Sequence, residues 1–292
     1  MWLFCFVVVV FWRGSLYSQG VVVRLSADRE EYLPNESLMV GVSIENLSGT
    51  PVVLGQHREW ILFLIQDVQG RPVARSGNPP AGEIFIIPNA TTVTRWIDLA
   101  PYFNVRQQGT YSITAKVNVR QWKQDVQAQF CRIQVVGGLK LAAKKFGVPN
   151  PADNSAPPEI RVFKLLRKRD GGRLLLYLRV AEQNDYNVYN VQRLGPMVQL
   201  SPPEYQIDSE SQIHIFFRSG ALTYIYCVAN AQGRLQKRQT YQTYLGKRPA
   251  MRTNVKKKIE VAGGRRVFAR SDFPVVAPEA LGRKLPALRI RN

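Results

Sequence analysis

The sequence predicts an all-β protein. Apolar and polar residues alternate with a period of two in both halves of the chain, turn signals separate these stretches at short intervals, and the alternating regions contain no amphipathic helix. The chain has 292 residues, and at roughly 150 residues per domain this length predicts about two domains. We therefore expect two antiparallel β-domains with a segment before, between and after them.

Residues 1–20 are predicted to be a signal peptide. The unbroken apolar run from Trp2 to Trp12 is shorter than the roughly 20 residues that a membrane span needs. Ser18 and Gly20 are small residues that fit a cleavage site. Because no Lys or Arg precedes the run, retention as an anchor stays open. Cleavage predicts a secreted or periplasmic protein.

Residues 21–136 are predicted to form a β-sandwich. Residues 38–45 and 111–120 alternate as half-buried strands do, and Trp60 to Ile65 is continuously apolar, which predicts a strand covered on both faces. Four stretches of this region resemble bacterial immunoglobulin-like modules of the BsuPI proteinase-inhibitor type. They are Tyr32-Leu33-Pro34-Asn35-Glu36-Ser37-Leu38, Ile44-Glu45-Asn46-Leu47-Ser48, Asp67-Val68-Gln69-Gly70-Arg71-Pro72-Val73 and Gln108-Gly109-Thr110-Tyr111. This resemblance implies an immunoglobulin-like sandwich. It also implies protease inhibition as one possible activity, with residues 71–88 as the inhibitory segment.

Residues 137–158 are predicted to be a linker, because Gly137-Gly138 opens the segment and four prolines close it. Residues 159–245 are predicted to be a second antiparallel β-domain. Asp170-Gly171-Gly172 supplies a tight hairpin turn between two alternating stretches. The succession of hairpins also resembles propeller blades, but the segment is long enough for only two, so a second small sandwich is favoured over a repeat-derived unit.

Residues 246–292 are predicted to be a basic, largely extended or disordered tail. The segment carries 13 basic and 3 acidic side chains and is interrupted by prolines. The whole chain has a net charge of +19, and residues 137–292 carry 28 basic and 11 acidic side chains. The densest positive charge is predicted to bind an anionic surface, and it comprises Lys256, Lys257, Lys258, Arg265 and Arg266.

No catalytic, cofactor or metal motif is present. The chain has only two histidines, His57 and His214, and outside the signal segment two cysteines, Cys131 and Cys227, which are read as buried thiols although a disulfide between them stays open. Residues 184–187 offer oxygen atoms to calcium but lack the spacing of a calcium loop. We therefore predict a protein that is not an enzyme and uses no cofactor.

The leading functional hypothesis is a binding or scaffold protein. Its immunoglobulin-like module would recognise another protein, and its basic half would adhere to an anionic polymer or an envelope surface. Three alternatives remain open: a proteinase inhibitor, an enzyme with an unrecognised site, and, for a protein that is not exported, a nucleic-acid-binding protein. In that last case the stacking residues would be Tyr224, Tyr226, Tyr241 and Tyr244.

Overall fold

The structure, a computed structural model, describes residues 20–57, 59–79, 82–150 and 155–274. It confirms the all-β prediction. In the described residues the only helical element is a single 3-10 turn, Arg120–Trp122, and no helix is long and apolar enough to cross a membrane. The chain divides into two compact units. The first takes in the described residues up to Glu30, Leu38–Asn104 and Thr110–Ile133, and the second takes in Glu31–Ser37, Val105–Gly109 and the described chain from Gln134 on.

Ten strands occur in the described residues before residue 136. They form sheets with the orders β1-β3-β7, β2-β10-β8-β5 with β9 also paired to β8, and β4-β6. The strands are β1 (Val21–Ala27), β2 (Glu31–Tyr32), β3 (Met39–Asn46), β4 (Val52–Leu54), β5 (Ile61–Asp67), β6 (Phe85–Ile87), β7 (Thr91–Asp98), β8 (Gly109–Val119), β9 (Gln124–Gln127) and β10 (Cys131–Val135).

Alternation explains these strands with one exception. In β3, Val40, Val42 and Ile44 are fully buried, and the residues between them, Gly41 and Ser43, are small. In β5 the continuous apolar run was expected to be covered on both faces, but Leu64 is 43% exposed. The expectation of two covered faces is therefore wrong: β5 buries one face, like its neighbour β8.

Eleven strands occur in the part of the chain that the structure describes after residue 136. They form two larger sheets with the orders β11-β12-β13-β14 and β15-β16-β17-β18-β21, and a hairpin of β19 and β20. The strands are β11 (Leu139–Val148), β12 (Glu159–Asp170), β13 (Arg173–Glu182), β14 (Val188–Pro196), β15 (Glu204–Ile207), β16 (Ile213–Arg218), β17 (Thr223–Ala229), β18 (Leu235–Gln242), β19 (Ala250–Thr253), β20 (Ile259–Ala262) and β21 (Arg265–Val267).

The two larger sheets of the second unit pack against each other around one apolar core. Each sheet contributes alternate side chains to a single buried cluster, as in a β-sandwich. The buried members include Phe163, Leu165, Leu176, Leu178, Val180, Ile213, Ile215, Phe217, Ile225 and Cys227. Burial also raises the pKa of the Cys227 thiol to about 12. Cys131 and Cys227 are both free thiols.

Residues 137–158, which were expected to be a linker, contain strand β11. It pairs with β12 from Leu139↔Arg167 to Val148↔Glu159, with a register shift between Lys140 and Ala142. The lysines of this stretch are exposed, whereas Phe146 is buried in the sandwich core. The linker prediction is therefore wrong for residues 139–148. The basic composition favoured a linker, but an edge strand tolerates exposed lysines when its other face is apolar.

Residues 246–274, expected to be an extended or disordered tail, contain β19, β20 and β21. The apolar side chains of β19 and β20 pack on the outer face of the second sheet, which explains the order of this segment despite its charge. Residues 275–292 lie outside the described residues, as does nearly all of the expected signal segment.

Candidate functional site

The predicted basic residues lie on two neighbouring structural features. Lys256, Lys257 and Lys258 are exposed in the turn between β19 and β20, which we call the lysine turn. Asn254 shapes it: its side-chain oxygen accepts the backbone N–H groups of Lys256 and Lys258, both at 3.0 Å. Within the described part of the chain no ammonium group of this turn forms an ion pair. The turn therefore presents three unneutralised positive charges on a hydrogen-bonded backbone.

The hairpin that carries the lysine turn is anchored to the sheet below it. Met251 is buried, and Ile259 and Val261 pack with it against a cluster on the outer face of β16 and β17, which comprises Phe216, Tyr224, Tyr226 and Val228. Polar contacts add to this packing: Arg248 Nε donates to Tyr224 Oη at 3.0 Å, and Thr253 Oγ1 donates to Gln206 Oε1 at 3.2 Å. Burial of these apolar side chains gives the lysine turn a fixed base.

Arg265 and Arg266 lie on β21, paired to Gln242 and Tyr241 of β18. The guanidinium of Arg265 lies 4.9 Å from the centre of the Tyr244 ring, and Tyr244 is 46% exposed. Arg266 is half-buried and stacks on Phe268 at 4.8 Å. Stacking uses the flat face of a guanidinium and leaves its N–H edge available. Arg265 is thus the more accessible of the two.

The structure does not gather the five predicted residues into one cluster. The lysine turn is at one end of the β19–β20 hairpin and β21 begins just after the other end. Four residue pairs separate the ends, which at about 3.3 Å per residue is roughly 13 Å. The exposed residues Lys247 and Arg248 lie at the β21 end. They were not among the predicted binding residues, because this segment was expected to be extended or disordered.

A buried polar chain crosses the sheet beneath the hairpin. Asp208 Oδ2 lies 3.0 Å from His214 Nε2, and His214 Nδ1 lies 2.6 Å from Tyr226 Oη. Tyr226 Oη also donates to the carbonyl of Ile259 at 3.3 Å, next to the lysine turn. Burial raises the pKa of Tyr226 far above its usual value. The Tyr226 phenol stays un-ionised, and both ring nitrogens of His214 have hydrogen-bond partners. This hydrogen-bonded chain therefore links the sheet to the hairpin at Ile259.

Four tyrosines were candidates for stacking on nucleic-acid bases. Tyr224 and Tyr226 are buried under the hairpin, so no base can stack on them in this structure. Tyr241 is half-buried and hydrogen-bonds to Gln239, and only Tyr244 is substantially exposed. A base-stacking platform made of these four residues is therefore excluded.

Two further candidates from the sequence were a calcium site at residues 184–187 and an inhibitory segment at residues 71–88. Asp185 forms ion pairs with Lys164 at 2.6 Å and Arg179 at 2.8 Å, so cations already occupy the carboxylate once considered for calcium. No group of three or more metal-ligating side chains occurs in the residues that the structure describes. The candidate inhibitory segment, residues 71–88, includes strand β6, which pairs with β4, and Pro80 and Ala81 of this segment lie outside the described residues.

Comparison with known proteins gives little to add to this geometry. No protein-family model matches the chain, and no curated protein matches it significantly. Among solved structures, the chain is similar to the crystal structure of Spo0M, a sporulation control protein from Bacillus subtilis, with 11% sequence identity and a TM-score of 0.29 over 55% of this chain and 79% of that one. A similarity this weak supports no functional argument.

Proposed function

We propose that this protein is a non-enzymatic binding or scaffold protein that acts outside the cytoplasm and adheres to an anionic polymer or envelope surface through the β19–β21 region. In this proposal the first unit is an immunoglobulin-like recognition module. The observation that supports adhesion is the lysine turn, which presents three exposed ammonium groups that have no ion-pair partner among the described residues, on a hydrogen-bonded backbone packed against the sheet.

The arrangement favours a polymer over a single small anion. The lysine turn and Arg265 lie roughly 13 Å or more apart, a distance too great for one phosphate or carboxylate group to span. A chain of repeated negative charges can contact both ends of the hairpin at once. Exchange of its bound counterions for these side chains would then drive the association.

The test is the salt dependence of binding to dextran sulfate, measured for the full chain between 50 and 200 mM NaCl. We expect the logarithm of the association constant to fall linearly with the logarithm of salt concentration. Replacing the lysine turn by Gln (K256Q/K257Q/K258Q) should lower affinity at least tenfold at 50 mM salt. It should also make the salt dependence shallower by about 2 units, at roughly 0.7 to 0.9 per lost contact.

The matched control removes the same charge elsewhere in the second unit. Lys140, Lys144 and Lys145 are exposed on β11, and their replacement by Gln (K140Q/K144Q/K145Q) should lower affinity by less than threefold. Equal losses from the two triple variants would mean that net charge and not the lysine turn determines binding. Binding that is insensitive to salt would contradict the proposal altogether.

A further inference from the structure

The first unit contains a cavity that the basic surface of the second unit does not involve. Its volume is about 330 Å³, near the lower end of the range for small-molecule sites. It lies beside β7, an edge strand of the sheet β1-β3-β7, and its lining also includes Phe85 of β6 and Trp60, the residue before β5. A partly open cavity at a free sheet edge is accessible to a small molecule from solvent.

The wall of this cavity is aromatic. Trp60 is only 2% exposed and packs edge to face against Phe85, with ring centres 5.4 Å apart. Tyr102 and Trp96 add a third and a fourth ring to the lining, and Trp96 is 51% exposed. Aromatic pairs prefer edge-to-face or offset contacts, so another flat ring could extend this arrangement.

The same cavity has two charged residues of opposite sign that do not neutralise each other. The guanidinium of Arg95 lies 4.5 Å from the centre of the Phe85 ring, and Glu83 also lines the cavity. In the part of the chain that the structure describes, neither side chain forms an ion pair or a hydrogen bond. Asp98, a further lining residue, is already engaged, because its Oδ1 accepts the backbone N–H groups of Leu38 and Ala100 at 2.9 and 3.0 Å.

We propose that this cavity binds a free aromatic amino acid. The ring would contact Phe85 and Tyr102, the carboxylate would accept hydrogen bonds from Arg95, and the ammonium group would be held by Glu83. Stacking on Phe85 leaves the N–H edge of Arg95 free for a carboxylate, which matches its fork of donors. A ligand with only one charge would pair with either Arg95 or Glu83 and would repel the other or leave it without a partner. A zwitterion can pair with both.

The test is titration calorimetry of the full chain with four probes. L-Phenylalanine carries the ring and both charges, 3-phenylpropionate lacks the ammonium group, phenethylamine lacks the carboxylate, and L-alanine lacks the ring. We expect L-phenylalanine to bind at least threefold more tightly than each of the other three, because each of them lacks one of the three proposed contacts and Arg95 and Glu83 are exposed, where one ion pair contributes modestly. No binding of L-phenylalanine, or equal binding of L-alanine, would overturn the proposal.

Variants assign the two charges separately. Arg95→Gln should reduce L-phenylalanine binding to the level of phenethylamine, and Glu83→Gln should reduce it to the level of 3-phenylpropionate. Arg95→Lys keeps the charge and should lose less affinity than Arg95→Gln. The control is Arg24→Gln, which removes an exposed arginine paired with Glu45 in the same unit and should bind L-phenylalanine normally.

Thermal unfolding of each variant separates a lost site from a lost fold. If folded Arg95→Gln and Glu83→Gln proteins bind all four probes as the natural protein does, the assignment of the charges is wrong. The lysine-turn variant should bind L-phenylalanine unchanged, so this proposal and the polymer proposal can fail independently.

Discussion

At the scale of single residues, a buried ion pair in the second unit joins Arg238 to Asp272. Both are buried, and Arg238 Nη1 lies 3.3 Å from Asp272 Oδ1. Thr240 Oγ1 donates to the same carboxylate oxygen at 2.7 Å, and Arg238 Nε donates to the carbonyl of Leu194 at 3.2 Å. The backbones of Arg238 and Phe273 also pair in both directions. These contacts bind the segment after β21 to strand β18.

We predict that Asp272→Asn lowers the free energy of unfolding by about 3 kcal/mol, because it leaves a buried guanidinium without an ionised partner. The measurement is urea denaturation. Glu260→Gln, which removes an exposed carboxylate on β20, is the control and should change stability by less than about 0.5 kcal/mol. Equal effects of the two substitutions would show that the Asp272 carboxylate does not stabilise the fold.

Residue-level features were predictable where their cause is local. Gly171 and Gly172 were expected to form a tight hairpin turn, and they adopt φ values of 52° and 82° between the paired residues Asp170 and Arg173. The Arg238–Asp272 pair was not foreseen, since its members are 34 residues apart and nothing near either one indicates a partner.

At the scale of elements, the turn between β15 and β16 depends on the ionised form of Asp208. Burial acts to raise the pKa of this carboxyl, but hydrogen bonds from His214 and from the backbone N–H groups of Gln212 and Glu210 outweigh it and lower the pKa below the usual 3.8. A carboxyl whose pKa is lower in the folded protein than in the unfolded chain stabilises the fold at pH values above its pKa in the unfolded chain. That stabilisation is lost as pH falls through the folded pKa.

We therefore predict that the free energy of unfolding falls between pH 5 and pH 3, and that the fall is smaller in Asp208→Asn, which should already be less stable at pH 5. Urea denaturation at both pH values measures this. Asp170→Asn at the β12–β13 turn is the control and should keep the natural pH dependence. An Asp208→Asn protein with the same pH dependence as the natural one would contradict the role of Asp208.

Strand β11 shows what limits prediction at this scale. Its alternate apolar residues were present in the sequence, but Gly137-Gly138 before them, the prolines after them and three lysines among them favoured a linker. An edge strand tolerates exposed lysines, and the core side chains that cover Phe146 come from distant parts of the chain.

At the scale of the whole molecule, the basic C-terminal segment is part of the second unit. We predict that a chain ending at residue 245 unfolds at a markedly lower temperature than one ending at residue 274. The shorter chain uncovers Phe216, Tyr224, Tyr226 and Val228 and loses Asp272. At about 1.5 to 3 kcal/mol for each large apolar side chain, the expected loss is at least about 5 kcal/mol.

Circular dichroism melting curves and binding of a hydrophobic dye measure this difference between the two truncated chains. The chain ending at residue 274 contains every described residue of the segment and serves as the control. If both chains melt at the same temperature and neither binds dye, the segment contributes nothing to the stability of the second unit.

Four features could be predicted from the amino-acid sequence: the all-β class, the buried faces of strands such as β3 and β8, the hairpin at Gly171-Gly172 and the concentration of positive charge after residue 136. These features follow from local periodicity, turn chemistry and composition, which need no knowledge of distant contacts. Three features became visible only in the folded protein: β11 and β19–β21 are strands, the lysine turn and Arg265 lie apart, and Arg95 and Glu83 line the same aromatic cavity. Each of these features depends on tertiary contacts between a short segment and elements that are far from it in the sequence, and local sequence patterns do not encode those contacts.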